Sequence, residues 1–357
     1  MRISEAKQCI IELYKNTDCV TALVSERGVG KTSAFQQCAQ ELEIGYMGLY
    51  AAAMEGPDFM GLPDKDREKG ITRYLAPQFL PTCTAVAEGI FPEKGLLVLE
   101  EINRVPTDTV SVLYPLLLER KINGHQLAEG WKIGVTMNPD TLNYAVNSLD
   151  DAMLDRFTAI EITANLDDYT AYSLKNGPCD DVLDYLTACP DMLLRVKKAA
   201  DSTATAKSPT PRGWSRVQQL LNNCSLPEKL MQELISGILG PETAASFFGY
   251  LKNREYTIPP AEQIVTNYNT VRPQMAKLAE GGRLDMLSLV LKKVVSLLDG
   301  SEMQCKNLDI MLSDLPEEVQ LLFFKLLADA KPELFLGIAQ QTSVFSTLSN
   351  QILQLLS

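Results

Sequence analysis

Residues 20–42 join three signals into one unit: a short β-rich apolar run, VTALV (20–24), a turn with two glycines, SERGVGKT (25–32), and an amphipathic helical pattern, KTSAFQQCAQEL (31–42). A strand that passes through glycines straight into a helix constrains the fold more than any other feature of the chain. That order belongs to a parallel sheet whose strand ends meet helix N-termini. The residue types share one explanation. Gly28 and Gly30 let the backbone wrap an anion, the helix start presents unpaired N–H groups, and Lys31 brings a positive point charge. Thr32 adds a hydroxyl suited to a hard cation such as Mg2+. Arg27, Gly28, Val29, Gly30, Lys31, Thr32 and Ser33 are the candidate phosphate-binding residues. The pattern departs from GxxxxGKT at its first position, where Ser25 replaces glycine and must adopt whatever angles the turn requires.

Further strand candidates follow at YMGLYAA (46–52), LLVLE (96–100), KIGVTM (132–137) and AIEIT (159–163). They alternate with helical patterns such as TDTVSVLYPLLLERK (107–121), for which Thr107 after Pro106 is the candidate N-cap. The expectation is an α/β core with a parallel five-stranded sheet. GLLVLEEINR (95–104) reads as a buried strand ending in two carboxylates, where a P-loop fold needs acids for metal and water. Glu100 takes the magnesium-holding position and Glu101 the position that polarises an attacking water. The usual order is Asp then Glu, so Glu100 is one methylene longer than expected.

Beyond about residue 165 the strands stop, and helices alternate with the breakers CPD (189–191), KSPTPRG (207–213), SLPE (225–228) and TIPPAEQ (257–263). The expected organisation is an α/β core over 1–165, an all-α lid over 166–255 and a C-terminal helical module over 256–357. DSTATAKSPTP (201–211) is biased enough in composition to read as a mobile loop. The formal net charge of −12 repels a phosphate backbone, which argues against nucleic acid as a partner. The start MRISEAKQCIIELYKN lacks the marks of a secretory signal and no apolar run reaches membrane-spanning length, so a cytoplasmic chain with no membrane partner is expected. Eight scattered cysteines without a CxxC pair, and one histidine, His125, predict neither a disulfide framework nor a zinc site. His125 itself reads as a solvated hairpin residue.

With the two motifs in hand, the order of elements over about residues 20–220 resembles the MoxR-like branch of AAA+ ATPases, near the dynein-related and the gas-vesicle, nitric-oxide-reductase and rubisco activator groups. EINR, with Asn103 and Arg104, is similar to that branch's DEINR. Asn138 in TMNP looks like sensor 1, which orients the attacking water. LDDAMLDRF (149–157) resembles the arginine-finger stretch, making Arg156 a residue that acts on a neighbouring subunit's ATP, and SPTPRGW (208–214) resembles sensor 2, with Arg212 on the lid. The resemblance implies ATP and Mg2+ as ligands, ATP hydrolysis with Glu101, Asn138 and Arg156 as catalytic residues, and a homo-oligomeric ring, a hexamer in that branch. It also implies chaperone-like remodelling of a partner, with a separately encoded von Willebrand factor A-domain protein as co-worker. The stretches between strands, GPDFMGLPDKDREKGITRYLAPQFLP and INGHQL, look like the branch's inserted hairpins.

Two other readings stay open on the residues alone. One is an ATP-binding switch or scaffold with little hydrolysis, on account of Glu100 and Ser25. The other is a nucleic-acid motor, which the charge and the lack of an aromatic-basic patch disfavour.

Overall fold

The apolar run VTALV forms strand β1 (Val20–Val24), preceded by helix α1 (Ile3–Asn16) and followed by helix α2 (Lys31–Glu41). Strands β2 (Gly45–Tyr50) and β3 (Gly95–Glu100), helix α3 (Thr107–Glu119) and strands β4 (Trp131–Met137) and β5 (Phe157–Glu161) complete the core. The five strands are all parallel, in the order β2-β3-β4-β1-β5. This is the α/β architecture with a parallel five-stranded sheet and a helical C-terminal region that the sequence predicts. The computed structural model describes residues 1–139, 149, 151–196, 207–254 and 258–356. Of the stretch read as a mobile loop, residues 201–206 lie outside the described residues, as does Asp150 of 149–157.

Position in the sheet explains which strands are most apolar. β1, β3 and β4 lie in the middle and are buried almost throughout, so their sequences are near-continuous apolar runs. β2 and β5 are edges and alternate or mix. Side chains of the central strands point alternately into two cores. Ala22, Leu97, Leu99, Ile133 and Val135 join Leu113 and Leu116 of α3, while Leu23, Leu96 and Val98 join Ile10 of α1 and Phe35 of α2. Gly134 of β4 is bare because a Cβ there would stand 2.7 Å from the Phe35 ring, so glycine lets α2 settle close on the sheet.

Three expectations shift locally. The second strand ends at Tyr50, and Ala51–Ala53 form a 3-10 turn, because the β2–β3 ladder ends at the pair Tyr50–Glu100. The fifth strand starts at Phe157 and ends at Glu161, two residues earlier than AIEIT implies, since its register on β1 begins at Val20–Phe157. Thr107 is the first helical residue and Pro106 occupies the cap position, its fixed φ compatible with a helix start. The two insertions are hairpins, Pro63–Asp66 with Ile71–Tyr74 and Lys121–Ile122 with His125–Gln126. Half-buried His125 meets the Tyr74 carbonyl through Nε2 at 2.7 Å.

The chain divides into two compact units, 1–168 with 194–213, and 169–193 with 214–357. The second unit is helical throughout its described residues. Its aromatic centre stacks Tyr185, Trp214 and Phe247 with centroids 5.3–5.6 Å apart. Helices α4 (Asp180–Ala188) and α6 (Leu284–Leu297) are tied by Lys293 Nζ on Asp180 Oδ1 at 2.6 Å. Arg254, after helix α5 (Pro241–Asn253), reaches Asp181 at 2.8 Å and Asp184 at 3.4 Å.

Candidate nucleotide-binding site

In this strand order the carboxyl ends of β3, β4 and β1 lie side by side, which brings three separated sequence segments to one place: the loop after Val24, the acids after Leu99 and the polar residue after Met137. Ligands in parallel sheets bind at such strand ends. The loop is shaped by its glycines. Gly28 has φ +72° and Gly30 φ +124°, both disfavoured for residues with a Cβ. Gly28 is also crowded: a Cβ would lie 3.0 Å from Thr210 Oγ1 and 3.2 Å from Arg212 Cβ, and its carbonyl accepts the Arg212 N–H at 3.1 Å. Arg212 thus stands beside the loop with its side chain exposed. Ser25 has a negative φ, so the missing first glycine costs the turn nothing. Val29 anchors the loop in the apolar core, while Arg27 and Ser33 face solvent.

Lys31 opens α2 and is buried, yet among the described residues its ammonium contacts only uncharged oxygens. Nζ donates to Ser25 O at 2.7 Å and Asn138 Oδ1 at 3.0 Å, with Ser25 Oγ at 3.3 Å and Glu26 O at 3.4 Å. Burial lowers its pKa to about 8, against the pull of Glu101 and with the push of Arg212. An amine so placed is short of a negative partner. Beside it the Thr32 hydroxyl donates to Glu100 Oε2 at 2.9 Å.

The chain after Glu100 turns sharply. Glu101 is left-handed, φ 54° and ψ 44°, a conformation that costs a non-glycine residue about 1–2 kcal/mol. Its N–H is caught by Thr136 Oγ1 at 3.0 Å, and its Oε2 accepts Arg104 Nη1 at 2.9 Å and the Tyr50 hydroxyl at 3.2 Å. One 3-10 turn, Ile102–Arg104, then aims Asn103 back at the end of β4. Its amide donates to Asn138 O at 2.8 Å and accepts Asn138 N–H at 3.3 Å, standing in for the β3 strand that has turned away. Tyr50, Thr136 and the amide clamp of Asn103 carry no linear signal. Only Asn103 and Arg104 are visible beforehand, as part of EINR.

Of the sequence-predicted residues, Lys31, Thr32, Glu100, Glu101 and Asn138 converge, with Arg212 alongside. Arg156 does not. It precedes Phe157, which pairs with Val20 at the start of β1, whereas the loop leaves β1 at Val24, some four rises of ~3.3 Å away. Its Nη1 donates to Ala152 O at 2.5 Å, and its buried Nε has no partner among the described residues.

The residues fit a triphosphate with a hard cation. Glycine-shaped backbone, the N-terminus of an eleven-residue helix and a lysine lacking an anion suit phosphate. A hydroxyl paired with a carboxylate supplies the oxygen donors that magnesium prefers.

No family model and no curated protein matches the chain. Among solved structures it is similar to the RuvB Holliday junction branch migration motor of Thermotoga maritima, at 14% identity over 77% of this chain and 80% of that one, TM-score 0.35. A protein of Cytophaga hutchinsonii provisionally designated an ATPase gives 13% identity over 95% and 89%, TM-score 0.33. NtrX from Brucella abortus in complex with ATP gives 11% over 77% and 68%, TM-score 0.35. At such identities and TM-scores no residue role passes from those proteins to this chain.

Proposed function

We propose that this chain is an ATP-hydrolysing AAA+ ATPase of the MoxR-like kind, acting as a ring to remodel or activate a partner protein. The observation that carries the reading is the meeting of Lys31 with Asn138 at 3.0 Å and of Thr32 with Glu100 at 2.9 Å, at the ends of three neighbouring strands.

Each residue then has a task. The loop amides from Arg27 to Ser33 and the Lys31 ammonium hold the phosphates of ATP, Lys31 exchanging its carbonyl partners for phosphate oxygens. Thr32 and Glu100 hold Mg2+, which neutralises charge on the phosphates. Glu101, released from Tyr50 and Arg104, orients and polarises the attacking water, and Asn138 fixes that water from the other side. Arg212 adds positive charge beside Gly28.

The placement of Arg156 at the amino ends of the strands supports a role in trans: it cannot reach the phosphates of its own chain, but a head-to-tail neighbour's site is open to it. This favours a closed ring, with six subunits as in the resembling branch. A separately encoded von Willebrand factor A-domain protein as co-worker, the cytoplasm as location, and the division of the helical half into a lid (166–255) and a C-terminal module (256–357) belong to the same proposal.

The test is steady-state phosphate release with Mg2+-ATP. Wild type turns over, Glu101→Gln binds ATP but falls at least about a hundredfold in turnover, and Arg156→Ala is partly rescued by mixing with Glu101→Gln subunits. A wild type that releases no more phosphate than Lys31→Ala overturns the enzyme. The runner-up, an ATP-binding switch with little hydrolysis, draws on the Glu101 side chain being tied to Tyr50 and Arg104, and it wins if wild type binds ATP yet releases no more phosphate than Lys31→Ala.

A further inference from the structure

A glutamate at position 100 has to be shortened in effect, because an extra methylene carries its carboxylate beyond the point an aspartate reaches. The room for this comes from β2. The register pairs Gly48 with Val98 and Tyr50 with Glu100, so Tyr46, Gly48 and Glu100 share one face of the sheet. A Cβ at position 48 would stand 3.2 Å from Glu100 Oε1 and 2.8 Å from the Tyr46 hydroxyl. The hollow left by the bare α-carbon thus takes the edge of the Tyr46 ring, whose Cε1 would stand 3.0 Å from that Cβ, and leaves the second oxygen of Glu100 at its rim, while Oε2 reaches Thr32. Tyr46 leans along the strand over Gly48, and its buried hydroxyl makes no hydrogen bond of good geometry among the described residues, the Gln36 side chain and the Glu100 carboxylate being the polar groups that act on it. An orphaned buried hydroxyl next to a carboxylate needs an explanation, and a structural role alone leaves its desolvation unpaid.

We infer that Gly48 and Tyr46 are positioning residues that adapt the site to glutamate: the missing side chain seats the longer carboxylate, and the tyrosine hydroxyl is the donor reserved for its Oε1. The inference rests on the reading of Glu100 as the magnesium-holding acid. It makes position 48 the determinant of which acid, Glu or Asp, can serve at position 100.

The experiment measures Mn2+ affinity of the full-length protein with bound ATPγS, read by electron paramagnetic resonance, beside nucleotide affinity in EDTA. Gly48→Ala is expected to weaken Mn2+ about tenfold in the Glu100 background, yet to change it less than about twofold when Glu100→Asp is present, with metal-free nucleotide affinity unchanged. Tyr46→Phe is expected to weaken Mn2+ roughly threefold, the worth of one hydrogen bond, and this arm stands whether or not Gly48→Ala folds. Equal losses from Gly48→Ala in both backgrounds overturn the adaptation. An unchanged Tyr46→Phe overturns the part given to the hydroxyl. If Glu100→Ala leaves Mn2+ affinity intact, the magnesium reading itself falls and takes this inference with it.

Discussion

Two lysines set the two units apart. Lys31 and Lys293 are both buried, at 9% and 6% exposure, and both sit on helices. Lys293 lies on a carboxylate, Asp180, in a cluster with Asp181, Asp184 and Arg254 that knits helices together. Among the described residues Lys31 has only carbonyl, hydroxyl and amide oxygens around its ammonium. The first kind of burial is complete in itself. The second leaves a charge whose desolvation is offset only when an anion arrives, and that is the physical difference between a lysine that builds a fold and one that serves a site.

Breaking either lysine sharpens the contrast. Lys31→Ala should lower ATP turnover by roughly a hundredfold or more, the scale of losing a charged group at a phosphoryl-transfer site, with little change in melting temperature. Lys293→Met should do the reverse. Loss of a buried cation from a carboxylate cluster costs about 2 kcal/mol here, below the range for fully buried pairs because Asp180 is half exposed, and ATP affinity should not move. A denaturant titration and a nucleotide titration on the same two proteins check both statements. Equal effects on stability would erase the distinction.

Acid–base behaviour separates the units more finely. On the proposed reading Lys31, with its pKa lowered to about 8, holds phosphate as the ammonium, so ATP affinity should fall as pH rises above 8, by roughly tenfold per unit. Lys31→Arg, charged throughout, should flatten that slope. The smallest effect belongs to Asp184. Burial, partly countered by Lys293, raises its pKa to about 6, so the folded state holds the proton more tightly than the unfolded chain does. Its contribution to stability is present below the ordinary aspartate pKa and is lost as pH rises through about 6. Melting of Asp184→Asn against wild type from pH 4 to 8 should therefore show wild type losing stability relative to the variant across that window.

What the sequence revealed follows the same physics. β1, β3 and β4 are legible almost to the residue because burial on both faces leaves them few polar positions, and the edges β2 and β5 blur by one or two residues because one side is open. Lys31, Thr32, Glu100 and Asn138 are legible because each belongs to a short motif at a strand end. Thr136, Tyr50 and Asn103 act across strands, and their partners follow from register, which a single chain does not spell out. In the helical half, periodicity marks the helices but not that Lys293 meets Asp180, 113 residues away.

The left-handed backbone at Glu101 has a consequence for anyone who would improve this protein. Glycine would sit there without strain, so a screen for heat resistance rewards the very replacement that removes the carboxylate. Selection for robustness and selection for turnover pull this position in opposite directions, and a glutamate found there marks which of the two has prevailed.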